Sequence, residues 1–129
     1  MAVFTLPPEL FSFYKKHIEF ITEHAVDPDK RRYAMKGEAE RHYIDLDHYV
    51  KKGEDPLAVM PRKWNDAVAK FSEDTLKAYG IIPWHLEVMV YRLTKAFKEQ
   101  NLDKILNLSA DLGHYVGDAH VPLHTTKNY

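Results

Sequence analysis

Cysteine is missing from this chain, and that absence removes two kinds of structure at once. No disulfide can staple the fold, and no thiolate can bind a metal, so any zinc site must be assembled from His, Asp and Glu. The redox compartment is unreadable for the same reason. Net charge is nearly absent as well, at -1 with the histidines neutral, which argues against a broad basic surface for duplex nucleic acid. It leaves room for a single phosphodiester in a metal-lined cleft, where bound divalent cations would dominate the local field. No apolar run is long enough to span a bilayer. Met1 to Pro7 lacks the basic start and long apolar core of a secretory signal. Internal repeats, low-complexity tracts and clear linkers are also missing.

What is present suits one domain. A chain of 129 residues can bury a real core, and 45% apolar with 29% charged residues is an ordinary globular composition. The one oddity is histidine: there are eight, and three of them fall within eleven residues near the end of the chain.

Periodicity predicts helices throughout. Leu6 to His24 carries an apolar stripe of Leu10, Tyr14, Ile18 and Ile21, with prolines near its start where their missing N–H groups cost nothing. Asp27-Pro28-Asp29 breaks that helix. Glu38 to Tyr49 reads as a short helix or an ordered loop dense with potential ligands, and Gly53-Glu54-Asp55-Pro56 as a turn leading into a connector. Pro61 to Tyr79 is helical with Trp64, Ala67, Val68 and Phe71 inward, Ser72 able to divide it and Gly80 as its stop. Pro83 opens a helix to about Gln100 with Leu86, Met89, Val90, Leu93 and Phe97 on one side. Asn101 caps the last helix, which carries Leu102, Ile105, Leu106, Ser109, Leu112 and Gly113 toward the core. Nothing reads as a strand, so the expectation is a single all-α domain over residues 1–129.

The chemistry concentrates at His114-Tyr115-Val116-Gly117-Asp118-Ala119-His120-Val121-Pro122-Leu123-His124. His114 and Asp118 lie one helical turn apart on one face. Pro122 stops the helix at about Val121, and His124 returns from the turn toward the same point. An isolated His-x-x-x-Asp pair is more often a core histidine bonded to a carboxylate. Here Gly117 makes room for close approach and His124 adds a third group of ligand type, and burying so many polar groups without a cation would be costly. His42 is the next candidate, although alone it reads as a surface imidazole. Asp27 and Asp29 are alternatives that also suit plain turn chemistry. His85 reads as a core imidazole with a partner, and His120 as pointing away from His114. Tyr43, Tyr49 and Tyr115 are exposed-aromatic candidates for stacking on a base or covering a lipid headgroup.

The 114–124 segment resembles the His-x-x-x-Asp-x-x-x-x-x-His signature of the zinc-dependent phospholipase C and S1/P1 nuclease superfamily. His42-Tyr43-Ile44-Asp45 is similar to that family's His-aromatic-x-Asp segment. Pro28-Asp29-Lys30-Arg31-Arg32 resembles the Asp-x-x-Arg of its nuclease branch, which favours Asp29 over Asp27. The resemblance implies an all-α fold with up to three zinc ions. Asp29, His42 and His114 would bind one zinc together with Asp118; Asp118 would bridge it to a second; His124 would start a third site. Arg32 would be the cation near the scissile phosphate. The implied reaction is hydrolysis of a phosphate ester by a metal-activated water, with Asp29 orienting or deprotonating the nucleophile and Asp45 or Asp47 accepting the other ring N–H of His42. Implied substrates are a phospholipid headgroup or a single-stranded nucleic acid or nucleotide, in an extracellular or periplasmic setting.

The family also uses an N-terminal tryptophan, where this chain has Met1, and further ligands well beyond the position of His124, where this chain reaches only Tyr129. One four-ligand set is therefore complete and two are halved, as expected of a domain lacking its terminal segments. A non-catalytic helical module with one structural zinc, or none, is the reading from another class.

Overall fold

Breaker residues decide where each helix starts. The computed structural model describes residues 2–127, and among them every regular element is helical. The α-helices are α1 (Pro8–Lys16), α2 (Ile18–His24), α3 (Asp27–Arg31), α4 (Leu46–Tyr49), α5 (Pro56–Val59), α6 (Trp64–Phe71), α7 (Glu73–Ala78), α8 (Ile82–Lys98) and α9 (Leu102–Ala119), with 3-10 turns at Ala2–Thr5, Ala39–Arg41 and Pro122–Thr125. Proline sits in the first turn of α1, α3, α5 and α8, where no intrahelical donor is lost. No helix among the described residues is long and apolar enough to cross a membrane. The chain ends, Met1 and Tyr129, on which the expectation of missing terminal segments turns, lie outside the described residues.

The predicted helix at 6–24 is two helices. His17 leaves the helical region and its N–H closes a tightened last turn on Tyr14. The break serves two docking needs: Tyr14 shares a 2.8 Å hydrogen bond with Ser109 of α9, while α2 lies along α9 in its own direction. The 61–79 helix divides too, at Ser72, whose φ of 69° interrupts α6 and whose hydroxyl caps α7 by accepting from the Thr75 N–H.

The longest helices, α8 and α9, form the main packed pair. The turn between them satisfies both ends. Asn101 N–H donates to the Ala96 carbonyl and Gln100 N–H to that of Phe97, which is the paired bonding of a Schellman motif. Asn101 then caps α9 through its side chain, which accepts from Lys104 N–H at 3.0 Å. Gln100 occupies the left-handed position, φ 51°, that usually holds glycine.

Burial corrects the expected faces of both helices. The inward stripe of α8 runs Ile82, His85, Met89 and Ala96, while Val90 and Phe97 are exposed. In α9, Ile105, Leu106, Ala110 and Tyr115 are buried and Leu102 is exposed. Met89, Ile105 and Leu106 are inward as the pattern predicts. On α8 the rest of the apolar pattern points one residue past the buried positions His85 and Ala96, and on α9 Gly113 is exposed as well. The small side chains Ala96 and Ala110 lie in the buried stripes, where they permit close approach. A second cluster of Ile44, Ala67, Leu76, Ile82 and Trp84 joins α6 and α7 to the start of α8, with Trp64 edge-on to Trp84.

A left-handed glutamine at the α8 C-terminus carries a conformational cost of about 1 kcal/mol that glycine does not. Gln100→Gly is expected to raise the denaturant midpoint by an equivalent of about 0.5–1 kcal/mol. Gln100→Val should lower it, since a β-branched residue tolerates positive φ least.

Candidate metal centre

Three separate stretches of chain supply the site. Asp29 lies on α3, which is tied to α9 by Arg31 donating to Asp111 at 2.8 Å. His114 and Asp118 lie on α9, on the face their spacing predicts. His42 follows the 3-10 turn at Ala39–Arg41, in a segment without regular structure, so its position must come from elsewhere.

Backbone hydrogen bonds supply it. Ile81 N–H donates to the Glu40 carbonyl at 2.7 Å, Ile82 N–H to that of Tyr43 at 3.2 Å, and Asp45 N–H to that of Tyr79 at 2.8 Å. On the other side, Ile44 N–H donates to the His124 carbonyl and His124 Nδ1–H to the His42 carbonyl, both at 2.9 Å. Residues 40–45 are thereby stitched between the α7–α8 turn and the segment that follows α9. Gly80 makes the stitch feasible: its φ is 90°, and a Cβ there would lie 2.2 Å from the Tyr43 carbonyl oxygen. His42, read alone as a surface imidazole, is only 1% exposed.

His42 and His114 present ring nitrogens to each other and to both Asp29 and Asp118. His42 Nδ1 is 2.8 Å from Asp118 Oδ2, 3.2 Å from His114 Nε2 and 3.8 Å from Asp29 Oδ1. His114 Nε2 is 3.2 Å from Asp118 Oδ2 and 3.7 Å from Asp29 Oδ1. Within Asp29, His42 and His114 the three separations, 3.2, 3.7 and 3.8 Å, come near the edge of about 3.3 Å of a tetrahedron whose corners lie about 2.0–2.1 Å from its centre, as imidazole and carboxylate ligands of zinc do, and Asp118 Oδ2 lies against both imidazoles. Asp29, His42 and His114 form a group that could hold a metal ion. The chemistry of the donor set agrees: each carboxylate is an acceptor, and each neutral imidazole offers a lone pair at the nitrogen not carrying its proton. Burial pushes the His42 imidazole below its ordinary value, against the pull of Asp118.

The neighbours sort the remaining candidates. Asp27 is occupied elsewhere, paired with Lys30 at 2.8 Å and His24 at 2.6 Å, and those bonds hold its carboxyl down at about 2. Asp29 is the one that reaches the cluster. His124 Nδ1 lies 3.7 Å from Asp118 Oδ1, so His124 approaches the opposite oxygen from the one facing His42. Arg32 Nη1 lies 3.5 Å from Asp29 Oδ1. Arg32 also lines an open cleft of about 440 Å³ with Ala39, His42, Tyr43, Asp45, Leu123 and His124.

Several expectations are corrected. Neither Asp45 nor Asp47 accepts the other ring N–H of His42, because Nε2 has no hydrogen-bond partner. Asp47 instead accepts from the Thr126 hydroxyl and the Lys127 N–H. The acid nearest Nε2 is Glu38, 3.7 Å away and itself 1% exposed. Its position four residues before His42 was the available signal, obscured by the surrounding run of charge. Tyr115 is no exposed stacking group: it is buried and its hydroxyl donates to Glu38. Tyr49 is half-buried against Phe71. His85 is buried as expected but its Nε2 has no partner, and its ring stands edge-on to Tyr115 at 4.6 Å. His120 is exposed and turned back on the Val116 carbonyl.

Comparison with family models, curated proteins and solved structures finds no match to this chain.

Gly80→Ala should displace the Tyr43 carbonyl and with it His42. Expected is a loss of stability of about 3 kcal/mol by chemical denaturation, with weakened metal binding although residue 80 touches none of the four groups. His85 yields a pH prediction. Burial, reinforced by Arg41, lowers its imidazole from 6.5 to about 4. The unfolded chain therefore binds the extra proton first: stability is full above pH 6.5 and falls as pH drops toward 4, by roughly 3 kcal/mol. His85→Phe, which keeps a buried ring, should flatten the stability–pH curve by that amount.

Proposed function

We propose that this protein is a zinc-dependent hydrolase of phosphate esters, a phosphodiesterase of the phospholipase C type. The observation that carries the reading is the meeting of Asp29 with the imidazoles of His42 and His114, their donor atoms 3.2 to 3.8 Å apart, with Asp118 against both rings. Imidazole with carboxylate favours zinc over calcium or magnesium, which take oxygen alone. When bound, the ion would supply Lewis acidity, making hydroxide available near neutral pH and neutralising charge at phosphorus.

The chain's own groups divide the remaining work. Asp29 engages the cluster through Oδ1, yet its side chain is 54% exposed, so its second oxygen can orient an incoming water and take its proton. The Arg32 guanidinium, at the rim of the same cleft, offers a planar pair of donors to the phosphoryl oxygens and to the charge that grows on them in the in-line transition state. Asp118 has one oxygen toward His42 and the other toward His124, the arrangement a bridging carboxylate needs. His124, its Nδ1–H committed to the His42 carbonyl, is left with Nε2 as its donor atom. A second and third zinc, and an extracellular or periplasmic setting, belong to the same proposal.

Two features bear on the substrate. An apolar cavity of about 340 Å³, lined in part by Ile44, Met60, Ile82, Trp84, Leu86 and His124, adjoins the site and suits a lipid's apolar part. Tyr43 in the polar cleft instead suits a stacked base, which supports a single-strand nuclease or nucleotidase as the second reading. Phosphatidylcholine and single-stranded DNA assayed side by side would divide them.

Asp118→Ala should lose metal and hydrolysis of bis-p-nitrophenyl phosphate together, since it removes a ligand facing both imidazoles. A variant with full zinc content would refute the assignment. Elemental analysis of the wild type gives the wider test: two or three zincs per chain support the hydrolase, and one or none supports a non-catalytic helical module.

A further inference from the structure

His42 has a problem that the cluster alone does not solve. A neutral imidazole carries one proton and has two nitrogens to serve. Nδ1 sits 2.8 Å from Asp118 Oδ2, and a proton there would make a good hydrogen bond. That proton would turn the ring into a donor aimed at the cluster, in place of the lone pair a cation requires. Asp118 therefore pulls His42 toward the wrong tautomer.

On the far side of the ring stands a second carboxylate. Glu38 Oε1 is 3.7 Å from His42 Nε2, which is buried and has no hydrogen-bond partner. Glu38 is sealed from solvent, with Tyr115 donating to Oε1, Arg41 donating to Oε2 at 2.7 Å, and Arg31 Nε 3.7 Å from Oε1. Two guanidinium groups and a hydroxyl donor thus face this carboxylate, the pairing that a buried negative charge requires. A fixed negative charge at that position disfavours a lone pair on Nε2 and favours an N–H there. At 3.7 Å the contact is an electrostatic one and not a hydrogen bond, so the carboxylate acts on the ring through its charge.

We propose that Glu38 is the positioning residue for His42: it holds the ring proton on Nε2, so that the Nδ1 lone pair faces Asp29, His114 and Asp118. The assignment rests on the metal-centre reading and goes beyond it. It names a residue that touches neither metal nor substrate, and it explains why an acid is buried among arginines behind the site. Arg31 extends the same support to the other helices, since it contacts Glu38 and also donates to Asp111 of α9. The backing of His42 and the docking of α3 thus share one guanidinium.

The decisive variant is Glu38→Gln. Its neutral amide can turn the NH2 toward Nε2 and stabilise the opposite tautomer, leaving Asp118 the proton on Nδ1. The measurements are zinc affinity by chelator competition and two-bond proton–nitrogen spectra of protein labelled with nitrogen-15 histidine. Zinc-loaded wild type should show His42 bound through Nδ1 with a slowly exchanging proton on Nε2. Glu38→Gln should bind zinc about 10- to 100-fold more weakly, and Glu38→Asp should recover part of the loss. Equal affinity in Glu38→Gln, or His42 bound through Nε2, would overturn the assignment. If Glu38→Gln does not fold, the wild-type spectrum decides by itself. Zinc uptake without phosphodiester hydrolysis would sink the hydrolase reading and leave Glu38 in place, whereas no uptake at all would sink both.

Discussion

The convergence of Asp29, His42, His114 and Asp118 from three separate stretches of chain is the constraint from which most of this structure can be understood. The two imidazoles and Asp118 are largely withdrawn from water, while Asp29 keeps more than half of its side chain exposed. Polar groups so withdrawn must be paired, and here the facing ring nitrogens and the Asp118 carboxylate pair with one another. The fold supports the arrangement from outside. Arg32 lies against Asp29, Arg31 ties α3 to α9, and backbone hydrogen bonds clamp the segment carrying His42 between two turns.

Behind the cluster the electrostatics reverse. Glu38 is ringed by Tyr115 of α9, Arg41 and Arg31, all donors, on the Nε2 side of the His42 ring. Tyr115 also supplies a ring face to His42 and to His85, and burial together with Glu38 raises its hydroxyl. The site therefore has an acceptor shell in front and a donor-rich shell at the back, with the His42 ring as the wall between them. Such layering fixes which way the ring points more firmly than packing alone would.

The helical class, the prolines opening α1 and α8, the Asn101 cap and the α9 pair His114–Asp118 were legible in the sequence because they depend on short-range rules. Pro28 and Pro56, read as a break and a connector, instead open the short helices α3 and α5. The division at His17 was not legible, since it answers to Tyr14 reaching Ser109, far along the chain. The buried stripe of α8 was misjudged by one residue because Ala96, small and unremarkable in a pattern of leucines and valines, is what the neighbouring helix packs against. His42 had no periodic signal at all. Its burial comes from backbone hydrogen bonds to Tyr79, Ile81 and Ile82 and from a glycine at 80, and nothing local to residue 42 encodes them. Glu38 was concealed by its surroundings: an acid within a charged stretch reads as solvated until the arginines are seen to face inward.

The clamp between His42 and His124 has a topological meaning as well. Ile44 N–H donates to the His124 carbonyl and His124 Nδ1–H to the His42 carbonyl, so the whole stretch of chain between them is drawn into a closed loop. Loosening either end of that loop would release the segment carrying His42 and the turn after α9 together.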